Sequence, residues 1–102
     1  MQELGDRWET AGVLDNLGVL EHRRGRSPEA RRLLGESVRM RRDLGDRSGL
    51  VDSLLSLALV EKSLASTTAA IACTDEALAA SDGKDETAAV ARGLAALCAG
   101  TT

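Results

Sequence analysis

Leu4-Gly5-Asp6-Arg7 returns unchanged as Leu44-Gly45-Asp46-Arg47, an offset of 40 residues. The offset persists through the rest of the chain. Leu14, Leu54 and Leu94 fall together, as do Leu17, Leu57 and Leu97, while Gly18, Ala58 and Cys98 form a column of small side chains. Ala30 aligns with Ala70, Ser37 with Ala77 and Val38 with Leu78. A period of this size, kept at apolar and small positions alike, signals units that stack to bury a shared core.

Each copy reads as two helices. The first helix is expected to open near Asp6, whose carboxylate suits an N-cap, with Glu9 in capping-box position. Val13, Leu14, Leu17 and Leu20 then form an apolar stripe at three- and four-residue spacing. Gly25 and Pro28 interrupt it, and Ser27 caps a second helix that has Pro28 at its first position. Ala30, Leu33, Leu34, Val38 and Met40 supply that helix's buried face, and Gly45 gives the left-handed stop. The second copy runs from about Asp46 to Ala65 and from about Thr67 to Ser81, with Ser66 or Thr67 as cap and no Gly or Pro at its turn. A third begins near Asp82-Gly83-Lys84-Asp85 and carries one helix to about Cys98. The expectation is five helices in a single domain: repeat 1 over about 6–44, repeat 2 over about 46–82, and a partial repeat 3 over about 84–102.

Composition agrees with an all-α fold. Ala and Leu supply 16 residues each, Phe and Tyr are absent, and Trp8 is the only aromatic, so the interior is built from small and aliphatic groups. Six Val and one Ile are too few and too scattered for several strands. The longest apolar stretch, Leu54 to Val60, is far shorter than the roughly 20 residues of a membrane span. The N-terminal residues lack the basic and apolar segments of a secretory signal, so a cytoplasmic location is expected. Two cysteines and one histidine make neither a disulfide framework nor a zinc set. No phosphate-binding Gly pattern occurs, and no Ser, Asp or Glu combines with a base in a spacing that specifies chemistry. Neither an enzyme nor a cofactor is expected.

These residues resemble the tetratricopeptide repeat. Leu14-x-x-Leu17-Gly18-x-x-Glu21 followed by Ala30-x-x-x-Leu34 fits its spacing, as does Leu54-x-x-Leu57-Ala58-x-x-Glu61 followed by Ala70-x-x-x-Thr74; Leu94-x-x-Leu97-Cys98 begins a third match. The family's aromatic positions hold Glu21 and Glu61, its trailing proline is replaced by Arg42 and Asp82, and the period is 40 where about 34 is usual. Longer helices or a longer connection around residues 43 to 50 would absorb the difference. Long-period repeats with a recurring Leu-Gly-Asp-Arg look like those of large bacterial regulators that join an ATPase and a DNA-binding domain to a repeat array. The resemblance implies an α-solenoid of antiparallel helix pairs, and the sequence reads as an excerpt from a longer array.

It also implies a protein or peptide partner, bound on an inner face lined by the first helix of each pair. The candidates there are Asp15, Asn16, Val19, His22 and Arg23 from the first copy. Asp52, Leu55, Ser56, Leu59 and Lys62 come from the second, and Arg92, Ala95 and Ala96 from the third. Asn16 is singled out because an amide both donates and accepts, as an extended backbone requires. The last helix, Thr87 to Cys98, is apolar around most of its circumference, so a homo-oligomer through that unpaired helix is expected. The alternative is a regulatory or oligomerisation segment of a bacterial transcription regulator.

Other features have plainer readings. Residues 21–47 hold nine Arg against five acids, but Arg31, Arg32, Arg39 and Arg42 lie opposite Leu34 and Val38, and Arg32-Glu36 and Arg39-Asp43 have ion-pair spacing. A solvated outer face follows, with no aromatic platform for nucleic acid. His22 is read as a helix-end histidine. Cys73 and Cys98 occupy packing positions, and Trp8 is either a packing residue or an interface anchor.

Overall fold

The computed structural model describes the backbone of residues 4–81 and the side chains of residues 6–80. Among them are four α-helices and no strand: α1 (Leu4–Arg23), α2 (Ser27–Leu44), α3 (Arg47–Ser63) and α4 (Thr67–Ser81). Consecutive helices pack against each other, and only a slight contact joins α1 to α3. The fifth helix, the third repeat, Cys98, Arg92, Ala95 and Ala96 lie outside the described residues.

Three connections of one geometry make this arrangement. At each, one residue takes the left-handed conformation: Gly25 at φ 80°, Gly45 at φ 72° and Ala65 at φ 61°. The N–H of the next residue reaches back to a carbonyl in the last helical turn, Arg26 to Glu21 at 2.8 Å, Asp46 to Arg41 at 3.0 Å and Ser66 to Glu61 at 2.8 Å. These bonds satisfy carbonyls that a helix end leaves open, and they fold the chain back on itself. The left-handed residues are evenly spaced along the chain, so two helix-plus-turn segments make one 40-residue period. Longer helices absorb the extra length; the connection before α3 is only Gly45-Asp46.

The caps partly depart from expectation. Asp46 is the N-cap of α3, its Oδ1 accepting from the Gly49 N–H at 3.0 Å. Asp6 belongs to an identical tetrapeptide, yet it sits inside the first turn of α1 and is not the cap. Ser27 is the first residue of α2, and Arg26 takes the N-cap position without a side-chain bond. Pro28 is therefore the second residue of α2 and not the first as expected, still in the first turn, where its missing N–H leaves no helical bond unmade.

The core lies between α2, α3 and α4. Ala30, Leu34, Val38, Leu50, Val51, Leu54, Leu57, Val60 and Ala77 form one buried cluster. Met40, expected in it, is half-buried. The α1 stripe is the larger correction. Ala11 and Gly18 are buried on its α2 side, but Val13, Leu17 and Leu20 are exposed at 55%, 43% and 42%. Their counterparts one period later, Ser53, Leu57 and Val60, are buried at 1%, 9% and 1%. The physical reason is that α3 has a helix on each side, whereas α1 has α2 on one side and no described helix on the other.

Candidate functional site

Between α1 and α3 lies a cavity of about 220 Å³ lined by Val19, His22, Arg23, Leu34, Ser56, Leu59 and Val60. Its floor is set by a close helix crossing. Gly18 has no side chain to hold α2 away, and a Cβ there would come within 2.6 Å of Leu34 Cγ. Leu34 therefore packs directly against the α1 backbone and is wholly buried. Val19, Leu59 and Val60 continue the aliphatic lining; His22, Ser56 and Arg23 add polar groups. The Nδ1 of His22 is buried without a hydrogen-bond partner, an arrangement that costs free energy until a donor or acceptor meets it.

Five expected groove residues are thus brought together: Val19, His22 and Arg23 from α1, and Ser56 and Leu59 from α3. Leu34 and Val60 were missed, because helical periodicity assigns them to the core without showing that one side of each faces an opening. Asn16 and Asp52 are exposed elsewhere on α1 and α3, Lys62 is half-buried in the last turn of α3, and Leu55 packs against the hydrophobic cluster. None of the four lines the cavity.

Asp15 has a different task. The Arg41 guanidinium donates to it from Nε at 3.1 Å and from Nη2 at 2.8 Å, and also donates to Asp46. The Ser53 hydroxyl lies within 2.8 and 2.9 Å of the two Asp15 oxygens, and Ser37 is 3.2 Å from Ser53. One partly buried network therefore ties α1, α2, α3 and the α3 cap together. Burial works against the Arg41 charge, but the hydrogen bonds to Asp15 and Asp46 outweigh it and raise its pKa. The nearby Asp52 carboxyl is raised, first by lost solvent and then by repulsion from Asp15 and Asp46, with Arg41 opposing.

The arginine-rich face is less uniformly solvated than its spacing suggested. Arg31 holds Glu61 of α3 at 2.7 Å, and Arg42 holds Glu76 of α4 at 2.7 Å. Arg32 does make the expected exposed pair with Glu36, at 4.0 Å, alongside a shorter one with Glu29. Cys73 is a free thiol, half-buried and pushed up to about 11 by burial and by Glu61 and Glu76, which suppresses the reactive thiolate. Trp8 is 42% exposed. Among the described residues no His, Cys, Asp and Glu group is arranged to hold a metal ion, and no helix is long and apolar enough to cross a membrane.

Residues 10–44, which span most of α1 and all of α2, match the family model of the tetratricopeptide repeat. The chain carries a tetratricopeptide repeat. No curated protein and no solved structure matches it. Tetratricopeptide repeats generally mediate protein–protein interaction and are typically non-catalytic scaffolds. The matched repeat contributes Val19, His22, Arg23 and Leu34 to the cavity, and α3 closes its other wall.

Proposed function

We propose that this chain is a non-catalytic protein-interaction scaffold, an array of two tetratricopeptide-like repeats over about 6–44 and 46–82 and a partial third over about 84–102. It binds an extended segment of a protein partner across α1 and α3. The observation that carries this reading is the cavity itself, in which side chains from the first helices of successive pairs surround an aliphatic floor. Its size suits one Leu, Ile or Met side chain. In this reading the His22 and Ser56 side chains at the cavity supply polar groups for the ligand backbone, and Arg23 favours an acidic neighbour in the ligand. The reading also assigns partner contact to Arg92 and assembly with like repeats to the segment Thr87 to Cys98, both outside the described residues. A cytoplasmic setting suits such a scaffold.

A titration of the isotopically labelled chain with capped hexapeptides, each holding one Leu, Ile or Met beside Asp or Glu, tests this. Amide shifts centred on Val19, His22, Ser56 and Leu59 are expected, and Leu59→Glu, at a position 44% exposed, removes them without unfolding the helices. Shifts absent for every peptide, or unchanged in Leu59→Glu, refute the reading.

The alternative, a regulatory or oligomerisation segment of a bacterial transcription regulator, draws on the uncovered apolar face of α1. Under it, changes in that face alter assembly, and the groove takes no free peptide.

A further inference from the structure

The exposed face of α1 is patterned as a helix-pairing seam. Asp6, Thr10, Val13, Leu17, Leu20 and Arg24 succeed one another at alternating steps of four and three, and all six are exposed. That is the seven-residue repeat of a two-helix interface, set on the side opposite Ala11 and Gly18. The same positions one period later, Leu50, Ser53, Leu57 and Val60 of α3, are buried in the middle of the stack. The face that receives a helix in α3 is thus met by no described helix in α1.

The charge on this seam selects its occupant. Its N-terminal end is acidic, with Asp6 on the seam and Glu9 beside it; its C-terminal end is basic, with Arg24 continuing the seam one residue past the end of α1. A second α1 laid antiparallel and centred at Asp15 puts Val13 against the partner's Leu17 and Thr10 against the partner's Leu20. It also puts Asp6 against the partner's Arg24. A parallel pairing opposes like charges at both ends, so the seam specifies direction as well as contact. Neither Asp6 nor Arg24 has an ion-pair partner among the described residues.

We propose that two copies of this chain associate through α1 as an antiparallel, two-fold symmetric helix pair, built on Val13, Leu17 and Leu20 and oriented by Asp6 and Arg24. This interface faces away from the α1–α3 cavity, so it stands independently of peptide binding. It is also distinct from assembly through the C-terminal helix.

Sedimentation equilibrium of the 102-residue chain, from micromolar to about 1 mM, reads the outcome. The parent approaches twice the 10.7 kDa monomer mass. Leu17→Glu, at a position 43% exposed in the monomer, keeps its circular dichroism and weakens association by at least about tenfold. Arg24→Glu also weakens it, and Asp6→Arg combined with Arg24→Glu restores it. A parent that stays at monomer mass overturns the proposal. So does a Leu17→Glu chain that associates as tightly as the parent, or a double variant no tighter than Arg24→Glu alone.

Discussion

Gly25 and Ala65 hold the same left-handed backbone, φ 80° and φ 61°, at the same place in two turns one period apart. An L side chain is strained there by roughly 1–2 kcal/mol. Part of that strain is offset because alanine is less flexible than glycine when unfolded. Ala65→Gly is expected to stabilise the chain by about 1 kcal/mol. Gly25→Ala, where an added Cβ has open space around it, destabilises by a similar amount. Urea unfolding of both variants checks the pair, which should move in opposite directions.

Arg41 joins α2 to Asp15 of α1 and to the Asp46 cap of α3, and its side chain is only 13% exposed. Arg41→Met leaves Asp15 and Asp46, themselves 20% and 10% exposed, facing each other without a cation. A loss of about 3 kcal/mol is expected in denaturant unfolding. Arg32→Met, which removes exposed pairs with Glu29 and Glu36, changes the unfolding midpoint little by comparison.

Gly18→Ala forces a methyl group into Leu34, so either Leu34 moves or α1 and α2 separate. A destabilisation of about 1–3 kcal/mol follows. Leu34→Val in the same chain recovers part of it by clearing space, a coupling that a double-mutant cycle by thermal or chemical unfolding measures.

Asp52 gives a pH signature. Its folded pKa lies above the ordinary value, so the folded chain favours the protonated form. Stability from this group is highest at low pH and falls as pH rises through the folded pKa. Asp52→Asn removes the penalty and raises the unfolding midpoint at pH 7. The advantage disappears below the ordinary aspartate pKa of about 3.9, where the parent residue is neutral in both states. Unfolding followed against pH reads the difference.

The helix pairs were legible because their signals are local and repeated: Leu and Ala at helical spacing, Gly25 and Gly45 at the breaks, Pro28 in a first turn. Five of the seven residues lining the groove were legible for the same reason, since residues spaced along one helix share a face. Asp15 and Asp52 were both read as groove residues, and spacing does not reveal that Arg41 captures the first. Leu34 and Val60 were hidden by their own hydrophobicity, which marks a core position and a cavity wall alike.

From its residues alone, the chain's all-helical character, its 40-residue period and the demand for a small side chain at Gly18 and Ala58 are determined, because each follows from backbone propensity or from periodicity. Which apolar stripe becomes interior was decided by tertiary structure. Leu17 and Leu57 are identical in type and register, yet one is 43% exposed and the other 9%. Burial belongs to the neighbour as much as to the residue, and α3 has a helix on the side where α1 meets solvent.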